Sequence, residues 1–119
     1  MVEPLGDVTM SALHTALSGL SLRQRTIADN VANLETPGFL AGKVDFESSL
    51  RGALGSGEDP SAAAPSVLRS MEPTRTNGNN VNLEEETLAG SETNLQYQLA
   101  VEAVNAKFQR LRVAIGGGA

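Results

Sequence analysis

Thr36-Pro37-Gly38-Phe39 divides the chain. Pro at the second position and Gly at the third is the residue order of a type II turn, and Pro37 pushes Thr36 out of the α region. A long helical pattern runs into this string, so that helix must end by about Glu35. Asn30 and Asn33 fall in its last turn, where helices favour Leu, Ala or Lys. Asn near a helix end eases termination, which accounts for Asn33 better than for Asn30. The other reading has their amides bonding a neighbouring segment or subunit.

Before the stop, Met10, Leu13, Leu17, Leu20, Gln24, Ile27, Val31 and Leu34 alternate at steps of three and four, all apolar except Gln24. His14, Ser18, Ser21, Arg25 and Asp29 lie opposite. This is an amphipathic helix with a coiled-coil seam over 8–35, about 40 Å long and capped by Asp7 or Thr9. Gln24 either fixes register or marks a local end of the seam, and the second reading, with Gln24 half exposed, is preferred.

A second helix is expected over 82–115. Asn82 and Glu85 have capping-box spacing, Glu84, Glu85 and Glu86 suit the positive end of the helix dipole, and Lys107, Arg110 and Arg112 suit its negative end. Gly116-Gly117-Gly118 stops it. Gly90 inside it costs about 1 kcal/mol relative to Ala and invites bending or fraying. Tyr97, Val101, Val104, Phe108, Leu111 and Ile115 form one apolar stripe. Leu88, Leu95, Leu99, Ala103 and Ala106 form another, nearly opposite. A helix apolar on two faces expects cover on two sides, and one partner helix supplies only one. The remaining face is expected to meet another molecule.

The middle, 36–81, is expected to hold the turn, a short helix and a flexible linker. Val44–Leu54 reads as a helix capped by Asp45, with Phe46, Leu50 and Leu54 on one face. Gly55 to Asn80 is rich in Gly, Ser, Ala, Pro and Asn, with room for a small hairpin, and Val67, Leu68 and Met71 are too few for a core. Only 3% of residues are aromatic, so thin helix-on-helix packing by Ala, Leu and Val is all the composition supports. The expected fold is mainly α: two long terminal helices forming an α-helical hairpin or coiled coil, joined by a loop-rich segment with a short helix or small hairpin, in one structural unit.

Chemistry is hard to place on this chain. Net charge −5 and a pI near 4.8 argue against nucleic acid. There is no Cys, and the single His14 sits on a polar helix face without a second metal ligand. Glu84-Glu85-Glu86 points in several directions and is explained by the helix dipole. The serines have no base partner, and the glycine run follows no strand. We expect no enzyme, no catalytic, cofactor or metal residue, and no small-molecule substrate. No apolar run approaches the ~20 residues of a membrane span, so no transmembrane segment is expected. Met1–Asp7 lacks the basic and apolar blocks of a cleaved signal peptide.

The segment Arg23–Asn33, continuing to Thr36-Pro37-Gly38-Phe39, resembles the N-terminal signature of the flagellar axial proteins, the rod and hook family, which has an Asn-(Ile/Val)-Ala-Asn-x-x-Thr-Pro-Gly-(Tyr/Phe) pattern. Here that pattern is Asn30, Val31, Ala32, Asn33, Thr36, Pro37, Gly38 and Phe39. Lys43-Val44-Asp45-Phe46-Glu47 and Gly78–Glu86 narrow the resemblance to the proximal rod, and Asn94–Gln98 with Asn105–Phe108 resembles that group's C-terminal helix. Asp29, Leu40-Ala41-Gly42, Asn82 and Gly90 depart from the pattern. The resemblance implies a structural subunit of the basal-body rod. It would be exported by the flagellar type III apparatus without a cleaved signal peptide and polymerise in the periplasm through its terminal helices to transmit torque. The implied partners are other rod proteins, basal adaptor and membrane-ring proteins, and the export apparatus. The assembly seam would comprise Leu13, Leu17, Leu20, Ile27, Val31 and Leu34 with Leu95, Leu99, Tyr97, Val101, Val104, Phe108, Leu111 and Ile115. The main rival is a small helical export chaperone or adaptor, which would be a compact soluble monomer or dimer with a sharp melt. An enzyme, the second rival, would need a polar pocket in the middle segment.

Overall fold

The computed structural model describes residues 4–116, with side chains described from Val8 onward. Two long helices dominate. α1 spans Pro4–Ala32 and α3 spans Leu83–Ile115; between them lie β1 (Gly42–Val44), α2 (Glu47–Ser56), a 3-10 turn (Pro60–Ala62) and β2 (Val67–Arg69). The molecule is a thin blade, 65 × 29 × 14 Å, as expected of a mainly helical chain with too few aromatics for a thick core.

α1 begins four residues before the expected start at 8, so neither Asp7 nor Thr9 is its cap. Pro4 can open the helix because an N–H in the first turn would have no intrahelical partner anyway. The helix stops at Ala32, and the chain tightens through Asn33–Glu35 with i→i+3 bonds such as Leu34 N–H to Val31 O at 3.2 Å. The type II turn follows as its residues dictate: Phe39 N–H donates to Thr36 O at 3.2 Å and Gly38 sits at φ +76°. α3 is capped by the Asn82 side chain, which accepts from the Glu84 and Glu85 N–H groups. The expected stop at Gly116 holds, while Gly117 and Gly118 lie outside the described residues.

α1 and α3 run antiparallel. Asn30 meets Glu86, Ile27 faces Gly90, and Leu20 shares a cluster with Tyr97. α3 passes unbroken through Gly90, where an added Cβ would lie 3.8 Å from Ile27 Cγ2. The expected fray at Gly90 does not occur, and α1 lies against the helix there.

The core is small. Leu20, Val44 and Phe46 are buried together, with Ala16, Leu22, Tyr97 and Ala100 packed around them. The Phe46 ring rests directly on Gly19, with no room for a side chain there. Phe39 is half-buried, with Arg69 5.5 Å above its ring. α2 begins at Glu47. Asp45 holds its first turn by accepting from the Ser48 N–H and hydroxyl at 3.2 and 3.0 Å, and Ala53, not Leu54, is buried on its inner face.

No hairpin forms within Gly55–Asn80. β2 instead reaches back across α2 to pair antiparallel with β1, in the register Gly42↔Arg69, Lys43↔Leu68, Val44↔Val67. The 3-10 turn docks on α1, where the buried Thr15 hydroxyl donates to Pro60 O at 3.2 Å and Ser11 donates to Asp59 at 3.2 Å.

Candidate assembly surface and the polar junction behind it

The residues around the helix stop form a polar junction that holds the strands and both helices together. Asn30 is 1% exposed. Its amide exchanges two hydrogen bonds with the backbone of Gly42, Nδ2 to Gly42 O at 3.0 Å and Gly42 N–H to Oδ1 at 2.8 Å, and Nδ2 also donates to Glu86 Oε1 at 3.0 Å. The side chain thus pairs with β1 as another strand would, and ties α1 to α3. Glu86 is buried, and Lys43 Nζ lies 3.7 Å from its second carboxylate oxygen. A buried carboxylate needs such partners, because an unpaired one would carry a large desolvation cost. Asn33 stays local. It donates to Asp29 O at 2.8 Å and accepts from the Thr36 hydroxyl at 3.0 Å, bracing the turn.

Asn79 and Asn80 complete the junction from the far side of the sequence. Asn79 Nδ2 donates to Asn33 O and Thr36 O, both at 2.8 Å. Asn80 bridges the end of the strand ladder, accepting from Ala41 N–H at 2.7 Å and donating to Ser70 O at 3.3 Å. Arg75 donates to Leu34 O and Val81 O, each at 2.6 Å. The two glycine turns touch, with Gly38 N–H donating to Asn77 O at 2.9 Å. The main chain explains this density: carbonyls freed at the end of α1 need donors, and these side chains supply them.

A second clamp lies about two helical turns inward from Asn30. Arg23 makes a bidentate pair with Glu47, Nη1 to Oε2 at 2.8 Å and Nη2 to Oε1 at 2.6 Å. It also donates to Val44 O and lies 5.1 Å from the Phe46 ring centroid. The hydrogen bond with Arg23 holds the Glu47 carboxyl below its ordinary range, and Glu47 in turn raises the Arg23 guanidinium. Asp45 and Asp59 are also lowered, by the N–H and hydroxyl groups of Ser48 and Ser61.

The seam residues divide by position. On α1, Leu20 is buried, Leu13, Leu17, Gln24 and Ile27 are half-buried, Leu34 beyond the helix end is half-buried, and Val31 is exposed. On α3, Tyr97, Val101 and Val104 are half-buried, and their stripe continues toward the N-terminus through Gly90 and the buried Thr93 and Glu86. A search for apolar residues passes over that half of the face, because a glycine, a threonine bonded to Ala89 O and a paired glutamate fill it. Leu88, Leu95 and Leu99 stand 58–63% exposed on the other side, and Ala103 and Ala106 are exposed with them. Farther along, Phe108, Leu111 and Ile115 are 52–77% exposed. A shallow groove at this end is lined by residues of α3 alone, among them Glu102, Phe108, Leu111 and Ile115. Val81 supplies the apolar floor of the junction and was absent from the seam inferred from periodicity.

Among the described residues, no group of His, Asp or Glu is arranged to hold a metal ion, and no helix is long and apolar enough to cross a membrane. His14 is exposed.

The family model described as "Flagella basal body rod protein" matches residues 9–39, which take in most of α1 and the type II turn that follows it. Across almost the whole chain, the sequence is 31% identical to the flagellar basal body rod protein FlgB of Bacillus subtilis, covering 92% of this chain and 95% of that one. It is 30% identical to FlgB of Borreliella burgdorferi, covering 86% and 91%, and 24% identical to FlgB of Escherichia coli, covering 94% and 96%.

Proposed function

The chain belongs to the FlgB family of flagellar basal body rod proteins, and from that premise we propose that it polymerises through its terminal helices and helps the rod transmit torque. Membership makes it a structural component of the basal body. In the proposed reading it reaches the periplasmic rod through the flagellar export apparatus without a cleaved signal peptide. There it contacts other rod proteins and the basal adaptor and membrane-ring proteins.

The observation that carries the polymerisation reading is the leucine row of α3. Leu88, Leu95 and Leu99 are 58–63% exposed although α3 already packs on α1 along its other side. Full burial of a Leu side chain is worth about 1.5–3 kcal/mol, so covering the exposed part of three contributes roughly 3–5 kcal/mol to each subunit contact. Long helices with one internal and one external apolar face suit a layered tube better than a free globule. Torque then passes through neighbouring helix pairs, each kept in register by the junction at Asn30.

Leu95→Asp and Leu99→Asp test this reading in cells lacking the wild-type gene. Both side chains are exposed, so the substitutions leave the subunit's own core intact. Export of the protein should continue, while its recovery in purified basal bodies and motility should fall together. Normal incorporation of the Leu95→Asp, Leu99→Asp double variant would refute the reading. Leu20→Asp is a poorer probe, because Leu20 is buried within the subunit and its loss would unfold the chain first.

A further inference from the structure

Asn77-Gly78 is the one place in the sequence where Gly follows Asn. In such a pair the Gly nitrogen meets no side-chain hindrance when it attacks the Asn carboxamide. Asn77 is exposed, so water and hydroxide reach it. The folded turn nevertheless engages the reacting groups. Gly78 N–H, the nucleophile, donates to Arg75 O at 2.9 Å, and Asn77 Oδ1, on the carbon to be attacked, accepts from Asn79 N–H at 3.1 Å. Gly78 is further fixed at φ +85°, packed against the backbone of Gly38.

We infer that Asn77 is a deamidation site gated by the fold, slow to react in the folded subunit and reactive in the unfolded chain. In the reaction, Gly78 N loses its proton and bonds to Asn77 Cγ, and the Cγ–N bond breaks with release of ammonia, leaving a succinimide. Water then opens the ring at either carbonyl to give Asp or isoaspartate. Neither step needs an oxidant or a second substrate. Isoaspartate inserts a methylene into the main chain at the point where Asn77 O receives the Gly38 N–H. The contact between the two glycine turns cannot survive that change, so the product loosens the hold of residues 75–80 on the turn that follows α1. Chains held unfolded for long would accumulate this product, and chains that fold promptly would not.

The test incubates the purified full-length protein, folded and in urea, at physiological temperature and mildly alkaline pH. Peptide mass mapping and enzymatic isoaspartate labelling follow the products. The unfolded chain should form Asp and isoaspartate at residue 77, and the folded chain should do so about tenfold more slowly or less, because reaction must wait for local opening of the turn. Asn77→Gln should abolish the signal. Folded chains carrying isoaspartate should exchange the Gly38 amide faster than the parent. Equal rates in both states, absence of product from the unfolded chain, a signal that persists in Asn77→Gln, or unchanged Gly38 exchange would each overturn the proposal.

Discussion

Replacing Asn30 by Ala removes one side chain from three elements at once. It leaves the Gly42 N–H, the Gly42 carbonyl and one Glu86 carboxylate oxygen without their partner, in a place 1% exposed to solvent. A buried polar group left unsatisfied costs about 1–3 kcal/mol. Water entering the small space vacated by the carboxamide recovers part of that, and Lys43 still faces the other Glu86 oxygen. The expected loss is about 3 kcal/mol, a large share of the ~5–15 kcal/mol that typically holds a folded domain together. With a urea m-value of about 1.5 kcal/mol per molar, the unfolding midpoint should fall by roughly 2 M. Asn30→Asp sharpens the test. It keeps the shape of the side chain but turns the Nδ2 donor into an acceptor facing Glu86 and the Gly42 carbonyl, so it should cost more than Ala. Urea titrations followed by far-ultraviolet circular dichroism at neutral pH would measure both. A loss below about 1 kcal/mol for Ala, or a milder effect for Asp than for Ala, would refute hydrogen bonding as the reason for Asn30.

Two glycines in the long helices should respond oppositely to the same change. Gly90→Ala gains helix propensity with only ordinary contact to Ile27 and should stabilise by up to ~1 kcal/mol, whereas Gly19→Ala drives a methyl into the Phe46 ring and should destabilise by about 1–3 kcal/mol, as urea midpoints would record. At the touching turns, Gly38→Ala has open space and meets only the strain of its positive φ, while Gly78→Ala adds a Cβ 3.2 Å from Gly38 Cα; thermal melts should rank Gly78→Ala as the more damaging. The Arg23–Glu47 clamp should weaken in acid. Because Glu47 is lowered from 4.5 in the folded state, its contribution is present above that pH and is lost as pH falls through the folded value. Glu47 is 42% exposed, so the gap in stability between the parent and Glu47→Gln should be at most about 1 kcal/mol at pH 7 and should close as the pH falls through the lowered Glu47 value.

The parts of the fold that follow local rules are the parts the sequence reveals. The α1 helix, the type II turn at Pro37-Gly38 and the Asn82 cap each depend on residues within a few positions of one another. Mainly helical architecture follows from them. The strand pair does not, because three-residue strands are too short to show a period, and β1 and β2 are brought together across α2. The junction is equally hidden. Asn30 meets Glu86 and Asn79 meets Asn33 across 56 and 46 positions, and nothing local tells a buried amide from a surface one. The buried half of the α3 face escaped for a related reason: Glu86, Gly90 and Thr93 break its apolar pattern, yet each fits there through a partner or through small size. A usable signal was the pair of Asn residues in one helical turn, of which termination explains only Asn33. Asn30 is the one that reaches another segment.

The most direct measurement of the assembly account is a photo-crosslinking residue placed at Leu95, on the exposed face of α3, in cells that build motile flagella. Basal bodies purified after irradiation should contain covalent adducts between this protein and a neighbouring rod subunit. The same label at Ser18, on the polar face of α1, should give far fewer. Incorporated protein that forms no inter-subunit adduct from Leu95, or that crosslinks from Ser18 and not from Leu95, would contradict the account.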